Sequence, residues 1–313
     1  MSQGLVEELP ALIPAKGRPG KLFRLAADRA FVIGVTIDVE TCSVAIGGLD
    51  GSPMSDSTRS LITPLTYEDL IDAIQAAVER LMNEANGTCN GVGVAVPGLL
   101  EERSGRVAFS PNLHMLDGRE LSRDLSTSLG VKVACTQEEH ALCLAEQLLS
   151  NLRHVNDYAV MDFSTGVGMG VFSGGRYVSG ANGFAGEIGH TTVEPKGILC
   201  GCGNWGCLET VASDRALLKR CQKAIGYGVD FQQLTALASH GDSRIRAASE
   251  ETWNYVAIGI ASVVNLFNPS AILVHGKQFE LYPDALEYIR SKVQERALRP
   301  ALAGLTLERA SGT

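Results

Sequence analysis

The sequence contains no apolar run of about 18 residues or more, so nothing in it is long enough to cross a bilayer as a helix. Its start lacks a basic segment followed by an apolar one. Met1 is followed by SQGLVEELP, which does not read as an export signal, and the expected location is the cytoplasm. Positive charge is in deficit: 27 Lys and Arg against 35 Asp and Glu leave a net charge of -8, which argues against nonspecific nucleic-acid binding by the body of the protein. Internal repeats and low-complexity linkers are absent as well. What remains is an ordinary globular composition, 45% apolar and 20% charged over 313 residues, long enough for two domains.

Cysteine is the exception to this plainness. Three of the eight cysteines fall within GEIGHTTVEPKGILCGCGNWGCLE, residues 186–209. His190, Cys200, Cys202 and Cys207 form one imidazole and three thiolates at a spacing that suits tetrahedral zinc, and a complete protein shell points to a structural ion. The glycines at 201, 203 and 206 allow the tight turn that a CxC pair needs if both sulfurs are to reach one metal. Scattered buried cysteines are the alternative. The other five, at 42, 89, 135, 143 and 221, fall in apolar or helical surroundings, as expected of reduced thiols.

The same stretch offers a polar pocket. Glu187 and His190 are three residues apart and share a face if the turn is helical, while Glu209 follows the last cysteine by two residues. If one ring nitrogen of His190 takes the metal, the other is left as a hydrogen-bond donor for a ligand hydroxyl. Alternatively, both glutamates serve only to orient the cluster or to meet solvent.

Hydrophobic periodicity sets the elements around this stretch. Strands are expected at 31–37, 42–49, 90–96, 157–163 and 271–275. Thr66 reads as an N-cap with Asp69 at the third helical position, ahead of a stripe formed by Leu70, Ile71, Ile74, Val78, Leu81 and Met82. Further helices are expected at 244–267, stopped by Asn268-Pro269, and at 282–298.

GEIGH followed by CGCGNWGCLE resembles the signature of the ROK family of bacterial sugar kinases and sugar-responsive repressors. GVGVAVPGLL, SPNLHMLDG and FSTGVGMGVFSGGRYVSGANGFAGEIGH follow in that family's order, so the resemblance covers most of residues 31–313. It implies an α/β fold of two lobes, of the actin and hexokinase (ribonuclease H-like) type, with a structural zinc site. The implied divisions are 1–30 as a remnant of a winged-helix wing and linker, 31–137 as the first lobe and 138–313 as the second. A monosaccharide is then expected in the cleft between the lobes, at Gly98, Asn112, Gln137, Glu138, Glu187, His190 and Glu209, in a homodimer or homo-oligomer.

The kinase signatures are altered. The family's kinases carry Asp-x-Gly-x-Thr after the first strand; here Thr36, Asp38 and Glu40 occupy those places, or Asp38, Glu40 and Cys42 in a shifted register. Either way a glutamate sits where phosphate should approach, and two such negative groups repel by several kcal/mol, roughly 4 at an effective dielectric near 20. In Gln137-Glu138-Glu139-His140, Glu138 stands at the position of the catalytic aspartate, and one extra methylene misplaces a proton acceptor. Ser164-Thr165-Gly166-Val167-Gly168 keeps the form of the second phosphate loop, so ATP would meet Thr165, Gly166 and Gly168 if it binds. In NPSAILVHGKQ, however, His275 and Lys277 replace the glycines expected beside adenosine. No residue is assigned a catalytic role, and tight binding of ATP and magnesium is not expected.

Residues 1–30 favour a regulator. GLVEELPALIPAKGRPGKLFRL resembles the end of a winged helix-turn-helix, with Gly17-Arg18-Pro19-Gly20 as the wing and Lys16, Arg18, Lys21 and Arg24 as cations suited to a minor groove. The recognition helices of the family's repressors would precede Met1, and a returning helix would follow Thr313. DNA binding by this chain is therefore expected to be weak or to depend on those helices. The expected function is the sugar-sensing body of a regulator. The alternatives are a divergent ATP-dependent sugar kinase, of glucokinase or N-acetylhexosamine kinase type, and a zinc-stabilised interaction module.

Overall fold

The computed structural model describes residues 6–9, 22–25, 29–54, 57–101 and 104–311. Its contacts divide the chain into two compact units, with the boundary between Glu138 and Glu139. Strands β1 (Val6–Leu9) and β2 (Leu22–Leu25) pair antiparallel, Val6 opposite Leu25, and Glu7 forms an ion pair with Arg24. The expected wing, 17–20, and the cations Lys16, Arg18 and Lys21 lie outside the described residues.

The first unit is built on β3 (Ala30–Ile37), β4 (Thr41–Gly48) and β5 (Arg59–Ile62), an antiparallel meander. Helix α1 (Tyr67–Glu84) then leads to β6 (Thr88–Val96), which runs parallel to β3. Alternation decides which face is inside: Cys42, Val44 and Ile46 are buried while their neighbours are not. The Thr66 side chain accepts from the Asp69 amide as its N-cap position requires, and Leu70, Ile74, Val78 and Leu81 are buried. Each such side chain contributes about 1.5 to 3 kcal/mol on burial. Ile71 and Met82 are only partly buried against that core.

A short hairpin, β7 (Leu99–Leu100) with β8 (Val107–Phe109), precedes α2 (Leu121–Leu129) and β9 (Val133–Gln137), which adds parallel to β6. Helix α3 (Glu138–Leu149) follows directly.

The second unit opens with β10 (Tyr158–Asp162), β11 (Gly168–Ser173) and β12 (Arg176–Tyr177), again antiparallel. Helices α4 (Glu209–Ala212), α5 (Asp214–Ile225), α6 (Phe231–Ser239) and α7 (Ser243–Phe267) intervene before β13 (Ala271–His275), parallel to β10. Helix α8 (Ala285–Gln294) leads to β14 (Thr306–Arg309), parallel to β13. The sheet orders β5-β4-β3-β6-β9 and β12-β11-β10-β13-β14 are the same order twice. The sequence shows no repeat because the duplication lies in topology, while each unit packs its own core.

Helix α7 ends as read, with Asn268 left-handed at φ 47 and Pro269 beyond it. The helix expected at 282–298 is shorter at both ends. Pro283 delays its start to Ala285; it ends at Gln294, and after an extended Leu298 a separate 3-10 turn, Arg299–Leu302, carries Pro300 in its first turn. No helix among the described residues is long and apolar enough to cross a membrane.

Gly98 joins β6 to the β7–β8 hairpin at φ +95, and a Cβ there would fall 2.5 Å from the Phe109 carbonyl oxygen. Gly98→Ala should therefore cost well over about 1 kcal/mol. Gly118→Ala, at φ +74 with nothing within 4 Å, should cost less. Equal shifts in their urea midpoints would contradict this source of constraint.

Candidate metal centre and ligand site

Residues 186–209 form a compact loop whose backbone is closed by its own hydrogen bonds. A 3-10 turn at Ile188–His190 carries Glu187 and His190 on one side, with the His190 amide donating to the Glu187 carbonyl. Two isolated antiparallel pairs, Thr192 with Cys207 and Leu199 with Trp205, fold the rest back on itself. At the tip, the Cys200 amide donates to Asn204 and the Gly203 amide to Cys200. Of the three glycines singled out, Gly203 and Gly206 adopt positive φ, +90 and +68, whereas Gly201 is not among the positive-φ glycines. At Gly206 the requirement is absolute in space too, since a Cβ would lie 1.7 Å from the Glu194 carbonyl oxygen.

The loop brings a ring nitrogen of His190 and the Sγ atoms of Cys200, Cys202 and Cys207 within 4.8 Å of one another. Cys200 Sγ lies 3.6 Å from His190 Nδ1, and Cys202 Sγ lies 3.7 Å from Cys207 Sγ. Bond lengths of about 2.3 Å to sulfur and about 2.05 Å to nitrogen in a regular tetrahedron imply edges of about 3.8 Å (S–S) and about 3.6 Å (S–N). The donor set therefore fits a four-coordinate ion. Cys200 and Cys207 are buried, and burial pushes both thiols up, which disfavours the thiolates without a cation beside them.

The other ring nitrogen of His190 faces Glu187, whose Oε2 is 3.8 Å from Nε2. Glu187 is pushed up to about 8, first by burial and then by the charges of Glu139 and Glu209. Glu209 heads α4; one of its oxygens accepts from the Val167 amide at 3.2 Å and the other from Cys200 Sγ at 3.7 Å. So the loop does bring Glu187, His190 and Glu209 together.

It adds a residue that the sequence reading passed over. Glu139 is a carboxylate that couples to Glu187 and Glu209. Burial, followed by the charges of Asp162 and Glu209, raises it to about 7. A Cβ on Gly168 would fall 1.8 Å from its Oε1, so it lies directly against the glycine-rich loop. The signal was helical spacing, because Glu139, Cys143 and Glu146 stand at i, i+4 and i+7 on α3, with Cys143 and Glu146 buried. Glu146 accepts from the Ser311 amide and hydroxyl, both at 2.7 Å.

The glycine-rich loop joining β10 to β11 holds the candidates Thr165, Gly166 and Gly168. Its donors already face carboxylates: the Ser164 amide and hydroxyl bond Asp162 at 3.1 and 2.6 Å, and the Val167 amide bonds Glu209. His275, at the end of β13, bonds Asp162 through Nδ1 at 2.8 Å, and that bond raises its pKa. The amides of Lys277 and Gln278 bond Asp214, which burial raises to about 7.

In the first unit, Gln137 is buried and donates from Nε2 to the Gly98 carbonyl at 3.1 Å, so these two candidates meet and hold each other. Asn112 is partly exposed in a turn closed by the Leu113 amide on Ser110. Glu138 begins α3, and its charge helps raise the Cys42 thiol, behind burial as the larger cause. The turn after β3 is closed by the protein itself. The Val39 amide bonds the Asp38 carboxylate at 2.6 Å, and Thr63 bonds the carbonyls of Asp38 and Glu40.

The folded-state value of Glu139, about 7, lies above its ordinary 4.5, so the folded chain binds the extra proton in that window. Stability from this group is full at low pH and falls as pH rises through about 7. Glu139→Gln should thus melt close to the parent at pH 5. At pH 8 it should exceed the parent by more than about 1 kcal/mol. A difference that does not change between the two pH values would contradict the burial of a charge there.

Residues 32–311 match the ROK family. The chain is 30% identical over 299 residues to the xylose repressor of Bacillus spizizenii, covering 95% of this chain and 77% of that protein. It is 26% identical over 321 residues to the N-acetylglucosamine repressor of Escherichia coli O157:H7, covering 99% of this chain and 79% of that one. Among solved structures it resembles a ROK family glucokinase from Streptomyces griseus, in complex with glucose and AMPPNP. That likeness has a TM-score of 0.81 at 26% identity, over 90% of this chain and 94% of that one. The match to the family model over nearly the whole chain, together with two α/β units of one topology, means that this chain belongs to the ROK family.

Proposed function

We propose that the chain is the sugar-sensing body of a ROK-type transcriptional regulator, which binds a monosaccharide beside a structural zinc ion and transfers no phosphate. One observation carries this reading furthest: the amides of Ser164 and Val167 and the Ser164 hydroxyl in the glycine-rich loop, and the Val39 amide in the turn after β3, are held by Asp162, Glu209 and Asp38. A phosphate group would have to displace carboxylates from neutral donors, and their charge would oppose it throughout the approach. The similarity to two repressors supports the same reading.

Zinc is the ion of choice for a nitrogen and three sulfurs in a closed shell, and bound there it would supply folding energy rather than chemistry. His190 would hold it through Nδ1, which fixes the tautomer and leaves Nε2–H as a donor next to Glu187. Glu187 and Glu209 then offer oxygens to vicinal hydroxyls. The glucokinase resemblance favours a second reading, a divergent sugar kinase.

Calorimetric titration with xylose, glucose and N-acetylglucosamine, repeated with magnesium and ATP while ADP is assayed, separates the readings. Heat from at least one sugar, unchanged by ATP and without ADP release, is expected. Sustained sugar-dependent ADP release would establish the kinase instead, and flat titrations would exclude both. A ligand hydroxyl left without its partner costs about 1 to 3 kcal/mol, so Glu187→Ala should weaken binding about tenfold with zinc content unchanged.

A further inference from the structure

Cys202 differs from the other two cysteines of the cluster. Cys200 and Cys207 are 5% and 0% exposed, whereas Cys202 is partly open to solvent at the turn of the loop. Its Sγ is 3.7 Å from that of Cys207, and the sulfur of Cys200 faces His190 Nδ1 and Glu209 Oε1. A disulfide needs an S–S distance of about 2.05 Å, so the two sulfurs must close by roughly 1.7 Å. Cys202 lies between Gly201 and Gly203, the latter at φ +90, so the moving segment carries little side-chain bulk. Cys207, by contrast, is anchored by its pairing with Thr192.

We propose that Cys202 is a peroxide-reactive sulfur and Cys207 its resolving partner, so that hydrogen peroxide joins them in a disulfide and releases the metal. This rests on the zinc reading above. The Cys202 sulfur attacks one peroxide oxygen; the O–O bond breaks, leaving a sulfenic acid on Cys202 and one water. The Cys207 sulfur then attacks the Cys202 sulfur; the S–S bond forms, the S–O bond breaks, and a second water leaves. Two thiols lose two electrons and two protons, and one peroxide becomes two waters. Of the four ligands, His190 and Cys200 remain, too few to retain a tetrahedral ion.

Trp205 lies between the two cysteines and is 59% exposed, while the other tryptophan, Trp253, is 0% exposed. Its fluorescence should report the change in the loop.

The experiment treats the zinc-loaded full chain with hydrogen peroxide in the presence of a chromophoric chelator, followed by peptide mapping under non-reducing conditions. Release of about one zinc per chain, a Cys202–Cys207 cross-linked peptide two hydrogens lighter, a change in tryptophan emission, and reversal by dithiothreitol with added zinc are expected. Retention of zinc under excess peroxide, or release with the cross-link elsewhere or with Cys200 alone oxidised, would overturn the proposal. Zinc content is measured before peroxide is added, so a chain that never held zinc would refute the metal reading itself, and this proposal with it.

Discussion

Groups that repel one another when ionised share one partly buried part of the second unit. The sulfurs of Cys200, Cys202 and Cys207 gather within 4.8 Å of His190, and close by, burial and neighbouring carboxylates raise the proton affinity of Glu139 and Glu187. Such a collection is stable only if a cation or bound protons balance it. On the proposed reading, a metal on the sulfurs and protons on Glu139 and Glu187 would divide that task, with the loop of residues 186–209 bringing the sulfurs together. Gly206, pressed against the Glu194 carbonyl, shows how little slack that folding leaves.

On the proposed regulator reading, the same electrostatics would set this scaffold apart from a phosphoryl-transfer site. A phosphate cradle needs free amides and a cation-friendly field. Here the amides of Val39, Ser164 and Val167 already serve carboxylates of the chain, and His275 is tied to Asp162. Those bonds occupy these three amides without any ligand, and on that reading an anion would have to displace them. A neutral, hydroxyl-rich ligand would suffer no such repulsion, and on the proposed reading would find donors and acceptors at Glu187 and His190.

Much of this was legible in the residue pattern. The Thr66 cap and the stripe of α1, the stop of α7 at Asn268-Pro269 and the strand 271–275 follow from local rules, because each is set by neighbours within one turn or one pleat. The His and Cys set was legible because its members are close in sequence and chemically unusual. Glu139 was not, since the adjacent carboxylates Glu138 and Glu139 look alike until the helix face is known. The duplicated sheet order was hidden for another reason: topology repeats without side chains repeating. The late start of α8 follows Pro283, which the apolar periodicity alone outweighed, and its end at Gln294 precedes a separate 3-10 turn at Arg299–Leu302.

The central claim is that one metal ion, bound by nitrogen and sulfur alone, organises the ligand site. X-ray absorption at the zinc edge on the reduced, zinc-loaded chain tests it most directly. The account predicts a four-coordinate shell with three sulfurs at about 2.3 Å and one nitrogen at about 2.0 to 2.1 Å, reduced to two sulfurs when Cys202 is replaced by serine. A shell dominated by oxygen, or one unchanged by Cys202→Ser, would contradict it.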